Sequence, residues 1–584
     1  MTAQGNRPST ASPSRQRIPN AGDGLNRPFG VRPYLQPRAT PPIISFESEP
    51  PSTPGVETAS ATRSAAIIGA AFILSRLLGI LRDVLLGHQF GVSSELDAYY
   101  AAFRIPDLVF LGVMSVAFGA AFIPVFGGFL ARGENDAARR LASAVIELAM
   151  VMTVILCVIA FVLAGPLMRH VIAPDLPPDV MPDAIQTMRI LLLSPILIGL
   201  GIAAKGILEA QDLFTLPALA PVAYNAAIIF GIIVFAPTLG IQGVAIGAVI
   251  GAAAHIAVQV PGVFKSGFRF MPASRPFNVA GVMEVMRLLG PRVIGQAAFQ
   301  INFIWVTGLA NRSGEGRVAA LNFGWQMLML PHGLIALSIS TVIFPRMARL
   351  YEQGKTEEVR HVFTQALTPM LFLTLPASIG LYEFRFAIVK AIFQNGAFNE
   401  TGTELVASAI EFLALGLVFY AVVEISTRIF YAMKDTVTPV VAGVIIIVIN
   451  MIIGYLLLDS LGHVGLAIGL TASTGVEAII LMAVLRRRIG GLEPDFGRWL
   501  AKLLLATAVM TLMAELVTHH LNEALASPTI GKPMTLLLVG YAVALVGATY
   551  FVAAWILRIP EVTVMMRRLT GIAGRLPVLG PVFR

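Results

Sequence analysis

The chain has 584 residues, of which 56% are hydrophobic and only 13% charged, with a formal net charge of +8. A water-soluble domain carries roughly a quarter charged residues, so the polar surface needed to cover a soluble particle is missing and lipid must be the solvent for much of the chain. The lone Cys157 excludes a disulfide scaffold and a Cys-rich metal site, and the positive charge reads as Lys and Arg retained at one membrane face, with no nucleic-acid partner.

Residues 1–62 are rich in Pro, Ser, Thr, Gly and Arg and hold no long apolar run. Such a segment buries too little surface to offset its ordering entropy, so a disordered cytoplasmic tail is predicted. No apolar stretch near the start suggests a secretory signal. From Ser64 onward, apolar spans are predicted near 64–90, 98–127, 138–164, 185–210, 216–237, 241–264, 280–310, 318–347, 360–393, 403–432, 438–459, 463–485, 499–520 and 534–557. Backbone groups in hydrocarbon must find partners within the segment, and alternating strand patterns are absent. The predicted class is therefore an all-α integral membrane protein with about fourteen transmembrane helices.

An even number of spans puts both termini on one side. If that side is the cytoplasm, inside loops hold Arg132, Arg139, Arg140, Lys265, Arg346, Arg349 and Arg486 to Arg488, whereas outside loops hold few cations, such as Arg169, Arg312 and Lys532. This asymmetry follows the positive-inside rule.

An internal repeat organises the spans. Residues 207–217 align without gaps on 429–439 (439 − 217 = 222), and 239–247 align on 461–469 at the same offset. Phe122 to Pro124 resembles Ile343 to Pro345 at an offset of 221. Two six-helix lobes are predicted, at 63–270 and 271–490, with two further helices and a cytoplasmic tail at 491–584. Six helices per lobe make the repeat parallel, and such carriers bind substrate between the lobes and alternate access by rocking them.

Charge at membrane depth is costly and marks function by default. The first span carries Arg76, Arg82 and Asp83 around Gly79. Two arginines exceed what one aspartate neutralises, which favours a cationic cavity for phosphate over an Arg–Asp pair pinning helices one and two. Asp97 is expected either to pair with Arg82 or to sit in an exposed loop. Arg104 and Asp107 flank Pro106 and are expected to pair locally at a kink. Helical spacing pairs Glu424 with Arg428 and Glu284 with Arg287. Glu147 and Glu477 are intramembrane carboxylates that could carry protons. Asn302, Asn322 and Gln326 read as interhelical hydrogen-bonding residues, and His519 and His520 as a solvated loop. Phosphate-loop, zinc-protease and serine-hydrolase motifs are absent, so no catalytic residue, metal site or cofactor is predicted.

Ser75, Arg76, Gly79, Arg82 and Asp83, followed by Phe90, Gly91, Asp97, Ala98 and Pro106, resemble the opening of the MurJ/MviN lipid II flippases. Further matches follow in order at Pro217, Pro221 and Asn225, at Phe393, Gly396 and Phe398, and at Phe430, Asp435, Thr438 and Pro439. The resemblance implies a fourteen-helix carrier of the multidrug and polysaccharide exporter superfamily that flips prenyl-pyrophosphate-linked peptidoglycan precursor. Arg76, Arg82, Asp83 and Asp97 match the family's charged positions, and the candidate substrate site comprises these four with Arg104 and Gln326. A lipid-linked anionic glycan would be the substrate, with membrane lipids and cell-wall synthesis proteins as partners. The chain departs from the family where an Arg pair is usual, at Phe110 and Leu111, and where helix eight carries charge, at Trp325, Gln326 and Met329. A gradient-driven small-molecule antiporter, or a non-transporting scaffold, are the competing readings.

Overall fold

The computed structural model describes residues 56–565, apart from 116–117, 119–121 and 528–529. Residues 1–55 of the predicted tail and the end of the predicted C-terminal tail lie outside the described residues. In chain order the helices are α1 (Val56–Phe90), α2 (Ser94–Val109), α3 (Phe122–Ala131), α4 (Asn135–Val162), α5 (Ala164–Leu167), α6 (Met181–Leu191), α7 (Ser194–Glu209), α8 (Thr215–Val234), α9 (Ala236–Leu239) and α10 (Ile241–Lys265). They continue with α11 (Val282–Arg312), α12 (Arg317–His332), α13 (Ser338–Glu352), α14 (Thr356–Glu383), α15 (Arg385–Ile392), α16 (Glu400–Ala432), α17 (Val437–Leu461), α18 (His463–Ile489), α19 (Phe496–Leu525) and α20 (Lys532–Ile556). Among the described residues there is no strand, only an isolated bridge between Asn395 and Phe398.

Eleven helical segments are long and apolar enough to cross a membrane, or twelve with α11, which bends by 44° between Gly290 and Gly295. All fourteen predicted spans fall on a helix or a run of helices. The two outside the count are α1, which carries Arg76, Arg82 and Asp83, and the interrupted α2–α3. The tail prediction also needs correction at its end. Helix α1 begins at Val56, because no proline or glycine follows Gly55 until Gly69 and the intervening alanines favour helix.

Backbone features recur at the spacing of the sequence repeat. Left-handed residues occur at Gly133 and Gly354 (354 − 133 = 221), Asp212 and Lys434 (222), and Gly240 and Gly462 (222). A π-helical turn follows α2 at Phe110–Ser115, and another follows α12 at Gly333–Leu337. Each lies just beyond a proline inside the helix, Pro106 and Pro331. A proline cannot donate to the helical ladder, and the register shift it causes accommodates the wider turn.

Small residues let helices approach closely where lipid supplies no hydrophobic drive between them. At the α8–α10 crossing, a Cβ on Gly231 would lie 2.5 Å from the Cα of Gly247, and one on Gly247 would lie 2.7 Å from the Cα of Gly231. The obstacle is backbone and cannot rotate away. Gly247→Val is therefore expected to destabilise the protein by about 1–3 kcal/mol or more, read as a lowered Tm in detergent. An unchanged Tm would show that the crossing tolerates separation. Helices α19 and α20 dock on α14 and α15: Tyr550 donates to the Phe372 carbonyl at 2.7 Å, and Lys390 to that of Leu525 at 2.8 Å.

Candidate functional site

The charged residues of α1 sort into one held and one free cation. Arg82 donates from Nε and Nη2 to Asp83 Oδ1 at 3.0 and 2.9 Å, and from Nη1 to Asn225 Oδ1 of α8 at 3.3 Å. The Asn225 amide is oriented in turn by the carbonyls of Pro221 (3.1 Å) and Ser75 (3.4 Å), its own helix and α1. Arg82 thus uses three of its five N–H donors within the described residues. Asp83 is 6% exposed, so its charge is matched by its neighbour and not by Arg76. Arg76 is exposed, makes no ion pair among the described residues, and stands over the Phe72 ring at 5.5 Å. One of its guanidinium nitrogens is 3.1 Å from where a Cβ of Gly333 would stand, at the second π-helical turn.

Asp97 does neither of the things expected of it. It is 1% exposed and accepts from the backbone N–H groups of Gly316 and Ala319, both at 2.7 Å. The carboxylate therefore caps α12, where four N–H groups lack helical partners. Glu315 returns the contact by accepting from the Ser94 N–H at 3.2 Å, at the start of α2. Each helix start is held by an acid from beside the other. Gly316 takes a φ of +75°, and a Cβ there would come within 2.6 Å of the Val92 carbonyl oxygen, so the crossing requires glycine. The Ala397 N–H also donates to the His88 carbonyl at 2.9 Å. At this end of the bundle, where α1 turns into α2, carboxylate-to-backbone and backbone hydrogen bonds tie α2 to α12 and α1 to the loop before α16.

The expected local Arg104–Asp107 pair is absent at ion-pairing distance. Arg104 donates instead to Thr307 Oγ1 of α11 at 2.7 Å and Asn322 Oδ1 of α12 at 3.2 Å, with its guanidinium 5.4 Å from the Phe303 ring centre. A partner from a facing helix wins because the side chain points away from its own helix. Gln326 is half-buried and makes no hydrogen bond among the described residues. Glu424 pairs with Arg428 at 2.9 Å as predicted and also accepts from Ser340. Exposed Glu284 and Arg287 do not pair. Asn450 donates to Asn302 at 2.8 Å, an interhelical bond of the expected kind. His519 and His520 lie at the end of α19, beside Glu523, and not in a loop.

Asp435, in the loop before α17, accepts from the N–H groups of Val437 and Thr438 and from the Thr438 hydroxyl, and pairs with Arg488 at 2.7 Å. Partial burial opposes its charge, but these hydrogen bonds and Arg488 hold its carboxyl below the ordinary 3.8. The tie is therefore complete at neutral pH and is lost only as pH falls through that lowered value. Among the described residues, no group of three or more His, Cys, Asp or Glu is arranged to hold a metal ion.

Sequence reading missed Asn225, Thr307 and Glu315 as site residues. A polar residue inside an apolar span was the available signal for the first two; Glu315, in a loop, offered none.

A bundle of apolar helices with an internal 222-residue spacing and charged residues in its first helices defines a multi-pass membrane protein. The fold matches the inward-facing conformation of a multidrug resistance MATE family transporter of the MOP superfamily, with a TM-score of 0.60 and 16% identity over 73% of this chain and 98% of that one. It also matches a lipid II flippase MurJ in an inward closed conformation, with a TM-score of 0.67 and 22% identity over 83% and 99%. The family model described as lipid II flippase MurJ matches residues 86–536, and the chain belongs to that family. The probable lipid II flippase MurJ of Rhizobium tropici is 29% identical over 521 residues, 86% of this chain and 95% of the relative. The lipid II flippase MurJ of Burkholderia cenocepacia is 26% identical over 434 residues, 73% and 84% respectively.

Proposed function

We propose that this protein translocates lipid II, or a closely related prenyl-pyrophosphate glycan, from the inner to the outer leaflet of the bacterial inner membrane by alternating access. The observation that carries this reading is Arg82, a charge kept at membrane depth by Asp83 and Asn225 with two of its five N–H donors unused among the described residues. A guanidinium fork suits a pyrophosphate, whose phosphoryl oxygens can accept two parallel N–H bonds from it. Arg76 adds the second, uncompensated positive charge. With apolar residues at Phe110, Leu111 and Met329, these two arginines take the anionic group without the further cations usual in the family.

Both termini are cytoplasmic in this reading, and the lobes span 63–270 and 271–490. The end tied by Asp97 and Glu315 then faces outward, so cargo enters from the cytoplasmic leaflet and leaves once these contacts part. Cell-wall synthesis proteins that consume the exported precursor are the partners implied. The test is complementation of a strain depleted of its own lipid II flippase, together with fluorescent lipid II translocation by the purified protein in liposomes. Growth and translocation are expected together. A folded protein that supports neither refutes the reading.

A further inference from the structure

One face of α12 is set apart from the rest of that helix. Leu321, Phe323 and Leu328 of α12 are buried, whereas Asn322, Trp325, Gln326, Met329 and His332 form a half-exposed line. Arginines from α2 and α1 touch the two ends of that line: Arg104 at Asn322, and Arg76 beside Gly333. The eleven residue steps from one to the other (333 − 322 = 11) span about 16 Å at 1.5 Å per step.

Aromatic rings fill that interval across three helices. Trp325 sits 5.4 Å from Phe303 of α11 and 5.4 Å from Tyr420 of α16, at interplanar angles of 80° and 89°. His332 continues the row 6.2 Å from Tyr420. Edge-to-face packing locks each ring, so the row is rigid before any ligand arrives. Polar atoms beside it are unpaired: Gln326 makes no hydrogen bond among the described residues, and the buried His332 Nδ1 has no partner. Fixed aromatic surface with free amide and imidazole groups suits saccharides, whose C–H faces pack on rings while their hydroxyls need donors and acceptors. The four rings themselves carry no charge at neutral pH, and Glu424, the carboxylate near His332, is already paired with Arg428 at 2.9 Å.

We propose that the row centred on Trp325 and Tyr420 is a saccharide-binding platform, which holds the sugar rings of the lipid-linked cargo while Arg76 and Arg82 hold its pyrophosphate. The proposal rests on the flippase reading. It gives the departure from helix-eight charge a use, since the aromatic surface stands where the family carries ionised groups.

The test compares two probes, lipid II and sugar-free undecaprenyl pyrophosphate, by native mass spectrometry of the purified full-length protein. Trp325→Ala is expected to weaken lipid II about tenfold, the worth of one well-placed aromatic contact, and to change the sugar-free probe by less than about twofold. Trp325→Phe, which keeps a ring, should recover most of the loss, and Tyr420→Ala should act in the same direction as Trp325→Ala. Arg82→Gln should weaken both probes together. Equal weakening of both probes by Trp325→Ala, or no change in either, overturns the platform while leaving the flippase reading intact. If the wild-type protein binds neither probe, both readings fall.

Discussion

Arg82→Gln is expected to reduce lipid II translocation by about a hundredfold, the cost of losing charge-assisted bonds to a pyrophosphate at low dielectric. The substitution has a second consequence that must be separated from the first. Asp83 is 6% exposed and takes its only ion pair among the described residues from Arg82. Removing one partner of a buried pair typically costs about 3–5 kcal/mol, because the remaining charge stays buried without compensation. Pairing the substitution with Asp83→Asn removes that charge, so the double variant should regain normal amounts of membrane-inserted protein while remaining inactive. Arg82→Lys keeps the charge but not the fork. An ammonium cannot serve Asp83, Asn225 and a ligand from fixed directions, so an intermediate loss of about tenfold is expected. Wild-type translocation by the double variant in liposomes would remove Arg82 from the substrate site.

Asp97→Ala should open the end of the bundle where α1 turns into α2. The carboxylate satisfies the N–H groups of Gly316 and Ala319 at the start of α12. Loss of an N-cap of this kind costs about 0.5–2 kcal/mol, and leaving two buried donors unsatisfied adds to it. In the alternating-access reading these bonds belong to the closed form, so their loss shifts the balance between closed and open forms by about tenfold or more. Ser94→Cys, a near-isosteric change at a buried position beside the closure, reports that shift. Its maleimide labelling should be slow in an otherwise wild-type chain and at least about tenfold faster with Asp97→Ala. Asp97→Asn retains one oxygen acceptor and should fall between. Glu315→Ala, at an exposed position with a single longer bond, should give the smallest change. Equal labelling rates in all four backgrounds would mean that the closure rests on other contacts.

Two legible features of this chain came through because the physics that produces them is local. Apolar spans become helices wherever the backbone has no other partner, so each predicted span meets a helix or a run of helices. Left-handed positions at Asp212 and Lys434 repeat at 222 because the same turn was written twice in the chain. Arg76, Arg82 and Asp83 stood out for the same local reason, as charges inside an apolar run.

Partner choice was not local. Asp97 looked equally ready to pair with Arg82 or to face solvent, and it took a helix start more than two hundred residues away. Arg104 passed over Asp107 for Thr307 and Asn322, and the surroundings of Trp325 come from Phe303 and Tyr420 on two other helices. Spacing along one helix says which side chains share a face, but not which distant backbone or ring will stand opposite. The sequence by itself thus determined a membrane-embedded helical carrier with cations in its first span. Tertiary structure alone decided which cation is held and which is free, which acids tie the starts of α2 and α12 together, and where an aromatic surface faces the arginines, since all three depend on the packing of helices remote in sequence.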